Sequence, residues 1–203
     1  MKYYHSIGPS PATARFFIAE KGLDIEVITL DLIKGENREA PHLARNPLGQ
    51  LPVLELDDGT RITESIAICE TLEELFPSPP LIGTTLEERA ETRMWTQRVN
   101  LGIAYPLLKA FQFGAGRTVY GPRTYTNPET VPGLTGLAFY HLEWLEKNIS
   151  DQFLCGSRFT LADILLFSFL TFADSHGNPI DKKLGRIWSW VERVEARPTM
   201  KRL

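Results

Sequence analysis

The stretch "GQLPVLELDDGTRITESIAI", Gly49 to Ile68, places three chemically distinct features close together. Pro52 opens a strand-like run, Asp58-Gly59 marks a turn, and Glu64-Ser65 stand directly before a helical pattern. One reading is a hairpin followed by a helix that Ser65 or Thr63 caps, a role worth about 1 kcal/mol. The other is a site that holds a small peptide. A helix start offers free N–H groups to an anion, Ser65 adds a hydroxyl, and the Glu64 carboxylate is complementary to an ammonium group. A second set of candidates lies in "YYHSIGPSP", where Tyr4, Ser6 and Ser10 carry hydroxyls around Gly8.

Other chemistries find little support. Cys69 and Cys155 form no CxxC pair, and His5, His42, His141 and His176 are widely separated, so no metal site is expected. No P-loop, GxGxxG or HExxH occurs. Both cysteines read as packed thiols, one in a helix and one in a loop.

The elements that would position these residues differ between the two halves. Residues 1–77 alternate strand and helix patterns. "MKYYH" is a short aromatic strand, and "PATARFFIAEKGL" spaces Ala14, Phe17 and Ile18 helically before a stop at Gly22. "DIEVITLDL" reads as a second strand. After a polar stretch, "PVLELDD" and "TRIT" flank Asp58-Gly59, a strong hairpin signal. "ESIAICETLEELF" then reads as a helix, so the order is β-α-β, a β-hairpin, and α. The proline-rich segment 78–84 is the expected linker.

From 85 to 203 nearly everything is helical. A long helix spans about 86–113, with a bend expected at Pro106. A Gly/Pro/Thr-rich excursion covers 114–128, and its length suggests a functional segment. Helices follow at about 129–149, 160–174 and 182–196. Thr160 and Asp163 form a capping box at the start of an apolar run. That run is expected to pass through the core of this half, and Asp163 is structural.

The chain has 203 residues, enough for one large or two small domains with a substantial core. Its formal net charge of −3 argues against general nucleic-acid binding. No apolar run approaches the roughly 18–20 residues of a spanning helix. The opening has no apolar signal core, so a cytoplasmic enzyme or binding protein is expected.

Three segments resemble the glutathione transferase superfamily, in order and in both halves. "NPLGQLPVLELDDGTRITESIAI" resembles the core of its thioredoxin-like domain, and "GPSPATARFFIAEKGLD" its first strand-to-helix turn. "RFTLADILL", Arg158 to Leu166, resembles its helical-domain segment. The chain is most similar to bacterial theta-like or nu-like, serine-type members. The resemblance implies an α+β thioredoxin-like domain followed by an all-α domain that lines an electrophile site.

The resemblance also implies roles. Pro52 becomes a cis proline whose preceding residue, Leu51, pairs with the cysteinyl backbone of glutathione. Glu64 and Ser65 bind the γ-glutamyl end, and Gln50 reaches the glycyl or cysteinyl part. Ser10 leads as the activator of the glutathione thiol, with Ser6, Tyr4 or backbone N–H groups alone as alternatives. Gly8 stands where relatives often carry Ser or Thr. The turn has no cysteine, which argues against chemistry through a mixed disulfide with the enzyme. Tyr105, Phe111, Phe113 and Tyr120 are candidate lining residues for the electrophile, and Arg117 and Arg123 could attract an anionic one.

The implied function is a transferase using glutathione as cosubstrate, with no permanent cofactor, acting in detoxification. The alternatives are a glutathione-dependent disulfide or hydroperoxide reductase, and a non-catalytic glutathione-binding protein. A homodimer built partly on the 86–113 helix is implied, with no nucleic-acid or membrane partner.

Overall fold

The structure, a computed structural model, describes residues 1–200. The chain divides into two compact units, Met1–Leu81 and Ile82–Leu203.

The first unit is built on a four-stranded sheet of order β2-β1-β3-β4. Strand β1 (Lys2–His5) is followed by helix α1 (Pro9–Glu20) and by β2 (Glu26–Thr29), which pairs parallel to β1. A parallel neighbour needs a crossover connection, and α1 supplies it. Strands β3 (Val53–Glu55) and β4 (Arg61–Thr63) form the expected hairpin, with Gly59 at φ 85° in its loop. β3 runs antiparallel to β1, and Tyr3 faces Leu54 while Tyr4 faces Val53 in register.

Both tyrosines of β1 are buried, so this central strand is covered on both faces. The Tyr3 hydroxyl donates to Pro11 O at 2.5 Å, tying β1 to α1. Tyr4 packs with Leu30 and Val53, flanked by Ile28 and Leu51. Helix α3 (Ser65–Leu75) then packs beside α1. The polar stretch after β2 contains two short pieces, a 3₁₀ turn at Glu36–Arg38 and helix α2 (Ala40–Leu43). Four residues cannot display a helical period, so the sequence pattern does not reveal them.

The second unit is helical. α4 (Leu86–Val99) begins with a capping box of Thr85 and Glu88. It runs through a π-helical turn, Asn100–Ala104, into α5 (Tyr105–Phe113). The irregularity expected at Pro106 therefore falls just upstream of it. Pro106 has no N–H for the carbonyl four residues back, and a wider turn is one way a helix absorbs that loss. The excursion holds a short helix, α6 (Arg117–Tyr120), followed by α7 (Val131–Asn148).

Helix α8 (Leu161–Ser175) is the axis of this unit, because every residue from Leu161 to Ala173 is buried. α9 (Gly185–Glu195) completes the unit and contributes the fully buried Trp190. Thr160 and Asp163 form the reciprocal box expected of them. The Asp163 carboxylate also accepts from Leu154 N–H and Trp190 Nε1–H, both at 2.9 Å.

Burial pushes the Asp163 carboxyl up to about 6, against the donors that pull it down. The folded pKa lies above the unfolded one, so this group's contribution is fully present below about 3.8 and is lost as pH rises through about 6. At about 1.36 kcal/mol per pH unit, the loss is about 3 kcal/mol. Denaturant melts followed by tryptophan fluorescence should show this fall between about pH 4 and 6. Asp163→Asn should be less stable throughout but flat across that window. An equally steep fall in the variant would remove Asp163 as its source.

Candidate functional site

Strand register brings the three candidate segments to one end of the sheet. β1 leaves at His5, next to where β3 enters, because Tyr4 pairs with Val53. β4 leaves at Thr63, which pairs with the same Val53. The 6–10 turn, the 50–52 segment and Glu64-Ser65 thus leave from or enter adjacent strands at one edge.

The 50–52 segment is held by a strap that precedes it. Asn37 Nδ2 donates to Gly49 O at 2.6 Å, and an Arg38 guanidinium N–H donates to Leu48 O at 2.8 Å. His42 Nε2–H and Asn46 Nδ2 both donate to Gln50 O at 3.0 Å. Burial, with the Arg45 and Arg38 cations, holds His42 below the usual imidazole value, so its neutral form makes this bond. Gly49 has φ 62°, and a Cβ there would lie 2.9 Å from Asn37 O.

With its carbonyl fixed, Gln50 exposes its side chain. The Leu51–Pro52 peptide is cis, and Leu51 stands outside the ladder that starts at Val53. Nothing in the pattern of residues 37–46 marks the strap, because its bonds join side chains to carbonyls and leave no periodicity.

Glu64 is the N-cap of α3, with φ 66° and ψ 119°, and it is the one residue other than glycine with positive φ among the described residues. Such a backbone costs on the order of 1–3 kcal/mol and tends to persist at functional sites. No side chain caps this helix, so the reading of Ser65 or Thr63 as a plain cap is corrected. Ser65 sits inside the helix at its first position, past the point where a capping hydroxyl can reach N2 or N3. The first bond into the helix is Ile68 N–H to Glu64 O at 2.9 Å. The N–H groups of Ser65, Ile66 and Ala67 consequently have no intrahelical acceptor. Ser65 is half-buried and the Glu64 side chain is exposed.

The three hydroxyl candidates have different surroundings. Ser6 is buried, and its hydroxyl donates to Leu30 O at 2.7 Å. The Tyr4 ring belongs to the core cluster, with the Arg45 guanidinium stacked 4.3 Å from its centroid. Ser10 is half-buried at the second position of α1, and its hydroxyl has no hydrogen-bond partner among the described residues. Pro9 and Pro11 have no N–H, and Ala12 N–H is bonded to Gly8 O. The Ser10 N–H is therefore the one free donor of that first turn. Gly8, at φ 124°, turns the chain into it.

Neither cysteine suits nucleophilic chemistry. Burial pushes the Cys69 thiol far up, with Glu70 and Glu73 adding to the effect, and burial also raises Cys155. Among the described residues no His, Cys, Asp or Glu cluster could hold a metal ion. No helix among them is long and apolar enough to cross a membrane.

In the second unit, Tyr105 is exposed. Phe111 packs edge-on against Tyr120, Phe172 and His176, and Phe113 packs against Tyr125. Arg117 lies on α6, and Arg123 follows it.

Comparison with known proteins agrees with this architecture. Residues 1–74 match the glutathione S-transferase N-terminal domain family, and residues 117–198 match the C-terminal domain family. The chain is 30% identical over 199 residues to glutathione S-transferase 2 of Saccharomyces cerevisiae, covering 97% of this chain and 85% of that one. It is 33% identical over 195 residues to a maleylacetoacetate isomerase of Pseudomonas aeruginosa, covering 95% and 86%. A crystal structure of a glutathione S-transferase domain-containing protein from Marinobacter aquaeolei superposes with a TM-score of 0.90 at 32% identity, over 99% of this chain and 100% of that one. With the domain matches in order and the relatives aligned along nearly the whole chain, this protein belongs to the glutathione S-transferase family and is a glutathione transferase.

Proposed function

We propose that the first unit binds glutathione along Gln50–Pro52 and at Glu64-Ser65, and that Ser10 stabilises its thiolate for attack on an electrophilic carbon. The observation that carries this reading is the unpartnered Ser10 hydroxyl, beside the one free N–H of the α1 first turn. Leu51 offers backbone groups for a short strand-like pairing with the cysteinyl residue. The α3 start, with three N–H groups and the Ser65 hydroxyl, receives the γ-glutamyl carboxylate. Glu64 faces the ammonium group.

A free thiol has a pKa near 8.5. A hydrogen bond to a charged group contributes about 1.5–3 kcal/mol, which lowers that pKa by roughly one to two units. The α1 dipole adds up to about one more. Much of the bound thiol is then ionised at neutral pH. Attack needs no covalent enzyme intermediate, and the two high-pKa cysteines are consistent with that.

A pH titration of the thiolate absorbance in the bound complex tests the reading. A bound pKa well below 8.5 supports it. An unshifted thiol would favour the disulfide- or hydroperoxide-reducing alternative, and absence of binding would favour a protein without glutathione chemistry.

The strain at Glu64 has a testable consequence. Glu64→Gly should stabilise the first unit by about 1 kcal/mol, since glycine accepts φ 66° freely. Glutathione affinity should fall about tenfold with the loss of the carboxylate. Calorimetric titration alongside denaturation would show both, and unchanged affinity would remove Glu64 from the site.

The domain assignment we propose is 1–77 for glutathione, 78–84 as linker, and 85–203 for the electrophile. We also propose a cytoplasmic homodimer that detoxifies small electrophiles. Light scattering at micromolar concentration that gave a mass near 23.0 kDa would rule out the dimer.

A further inference from the structure

Along one face of α5, Tyr105, Lys109 and Phe113 follow one another at four-residue spacing, which makes their side chains neighbours on the helix surface. The Lys109 ammonium lies 5.4 Å from the Tyr105 ring centroid and 5.9 Å from that of Phe113. It donates to Gln112 Oε1 at 3.0 Å, and Gln112 itself is buried. Tyr125 reaches back from the 114–128 excursion and meets Phe113 edge-on, with ring centroids 6.1 Å apart at 87°. Tyr105 and Tyr125 are exposed, so this stripe presents open aromatic surface with a cation at its middle.

A lysine on a helix surface normally lays its stem on apolar neighbours and keeps its ammonium in water. Here the ammonium itself is drawn in beside two rings, and the residue is half-buried. Burial lowers Lys109 below the usual lysine range, with no nearby carboxylate to offset it. Among the described residues Lys109 forms no ion pair, and its hydrogen bond goes to a neutral amide. An ammonium has three N–H donors, so two remain open. A strongly hydrated point charge is costly to hold this way, and contact with the ring faces offsets only part of that cost.

We propose that Lys109 sets the class of electrophile, an aromatic one that carries a carboxylate. The inference rests on the reading that residues 85–203 serve the electrophile. The ring lies along Tyr105 and Phe113, and the carboxylate takes the two open donors of Lys109. One positive charge and two donors match a single carboxylate better than a doubly charged phosphate. When the leaving group is chloride, conjugation is an aromatic substitution. The thiol proton has already gone to solvent, the glutathione sulfur bonds to the ring carbon, and chloride departs with the electrons of the bond it breaks. The carboxylate keeps its charge throughout, so Lys109 holds the substrate in place and transfers no proton.

The test pairs a chlorodinitrobenzoate with its methyl ester, which share ring and leaving group and differ in charge. For each, kcat/KM is divided by the rate constant of the uncatalysed reaction with free glutathione. The wild type should then favour the acid over the ester about tenfold. Lys109→Met should abolish that preference, and Lys109→Arg, which keeps the charge, should retain most of it. Calorimetric titration with dinitrobenzoate and its methyl ester, which carry no chloride, should show the same pattern in Kd without any turnover.

Equal acid-to-ester ratios in wild type and Lys109→Met would overturn the proposal, as would a wild type that prefers the ester. If neither chloro compound is turned over while the binding preference is present and is lost in Lys109→Met, the transferase reading fails and the carboxylate site at Lys109 stands.

Discussion

Ser10→Ala should raise the pKa of bound glutathione by one to two units and lower kcat/KM near neutral pH by about ten- to a hundredfold. The hydroxyl is removed while the Ser10 N–H and the α1 dipole stay, so the thiol returns most of the way toward 8.5. The deficit should shrink as the pH approaches that value, because the free thiol ionises unaided. Glutathione affinity should change by no more than a few fold, since the proposed backbone and carboxylate contacts lie on the 50–52 and 64–65 segments. That separation between kcat and KM distinguishes an activating hydroxyl from a binding one. Ser6→Ala serves as the contrast. Its hydroxyl is engaged with Leu30 O inside the unit, so it should cost stability and leave the bound pKa in place. If Ser10→Ala keeps the wild-type pH profile while Tyr4→Phe loses it, the activator has been misassigned.

Lys21→Met should destabilise the first unit by about 3–5 kcal/mol. Lys21 ends α1 with a fully buried side chain, in an ion pair with the equally buried Glu73 of α3. Its ammonium also donates to Phe76 O at 2.7 Å and Pro79 O at 2.6 Å, and lies 5.6 Å from the Phe17 ring centroid. Glu73 in turn accepts from Leu81 N–H. One cation thus ties the end of α1 to α3 and to the segment that follows α3. Its removal leaves Glu73 charged and buried without that partner, and two carbonyls lose a donor.

The double variant Lys21→Met/Glu73→Leu should recover much of the loss, because an apolar replacement of a whole buried pair is often nearly neutral. All four tryptophans lie in the second unit, so hydrogen exchange of the β1 and β3 amides is the suitable readout. A cost under about 1 kcal/mol for Lys21→Met would show that the pair is not structural.

The architecture is largely legible in the sequence. Alternation in "DIEVITLDL", the Asp58-Gly59 turn and the 3.6-residue spacing of the later segments are local signals, and local signals need no partner to be read. Thr160 and Asp163 announced the start of α8 for the same reason, since a capping box closes within four residues. The resemblance then supplied roles for Gln50, Leu51, Pro52, Glu64, Ser65 and Ser10 that spacing alone would not.

Tertiary structure decided what depends on contacts between distant residues. Spacing along the chain leaves Tyr4, Ser6 and Ser10 as three candidate hydroxyls around one turn, among which the resemblance put Ser10 first. Only the fold commits Ser6 to Leu30 and encloses Tyr4 with Val53, while Ser10 is left unpartnered. The strap of Asn37, Arg38, His42 and Asn46 bonds to carbonyls at 48–50 and has no periodic trace in sequence. The positive φ of Glu64 and the meeting of Trp95 with Trp144 across two helices are likewise products of packing. Sequence by itself determined the longer elements and their order, though not the short 3₁₀ turn, α2 or α6, because the longer ones carry patterns set by near neighbours. Which polar groups are satisfied and which remain open was decided only when the elements packed, because a hydrogen-bond partner dozens of residues away is invisible to any local pattern.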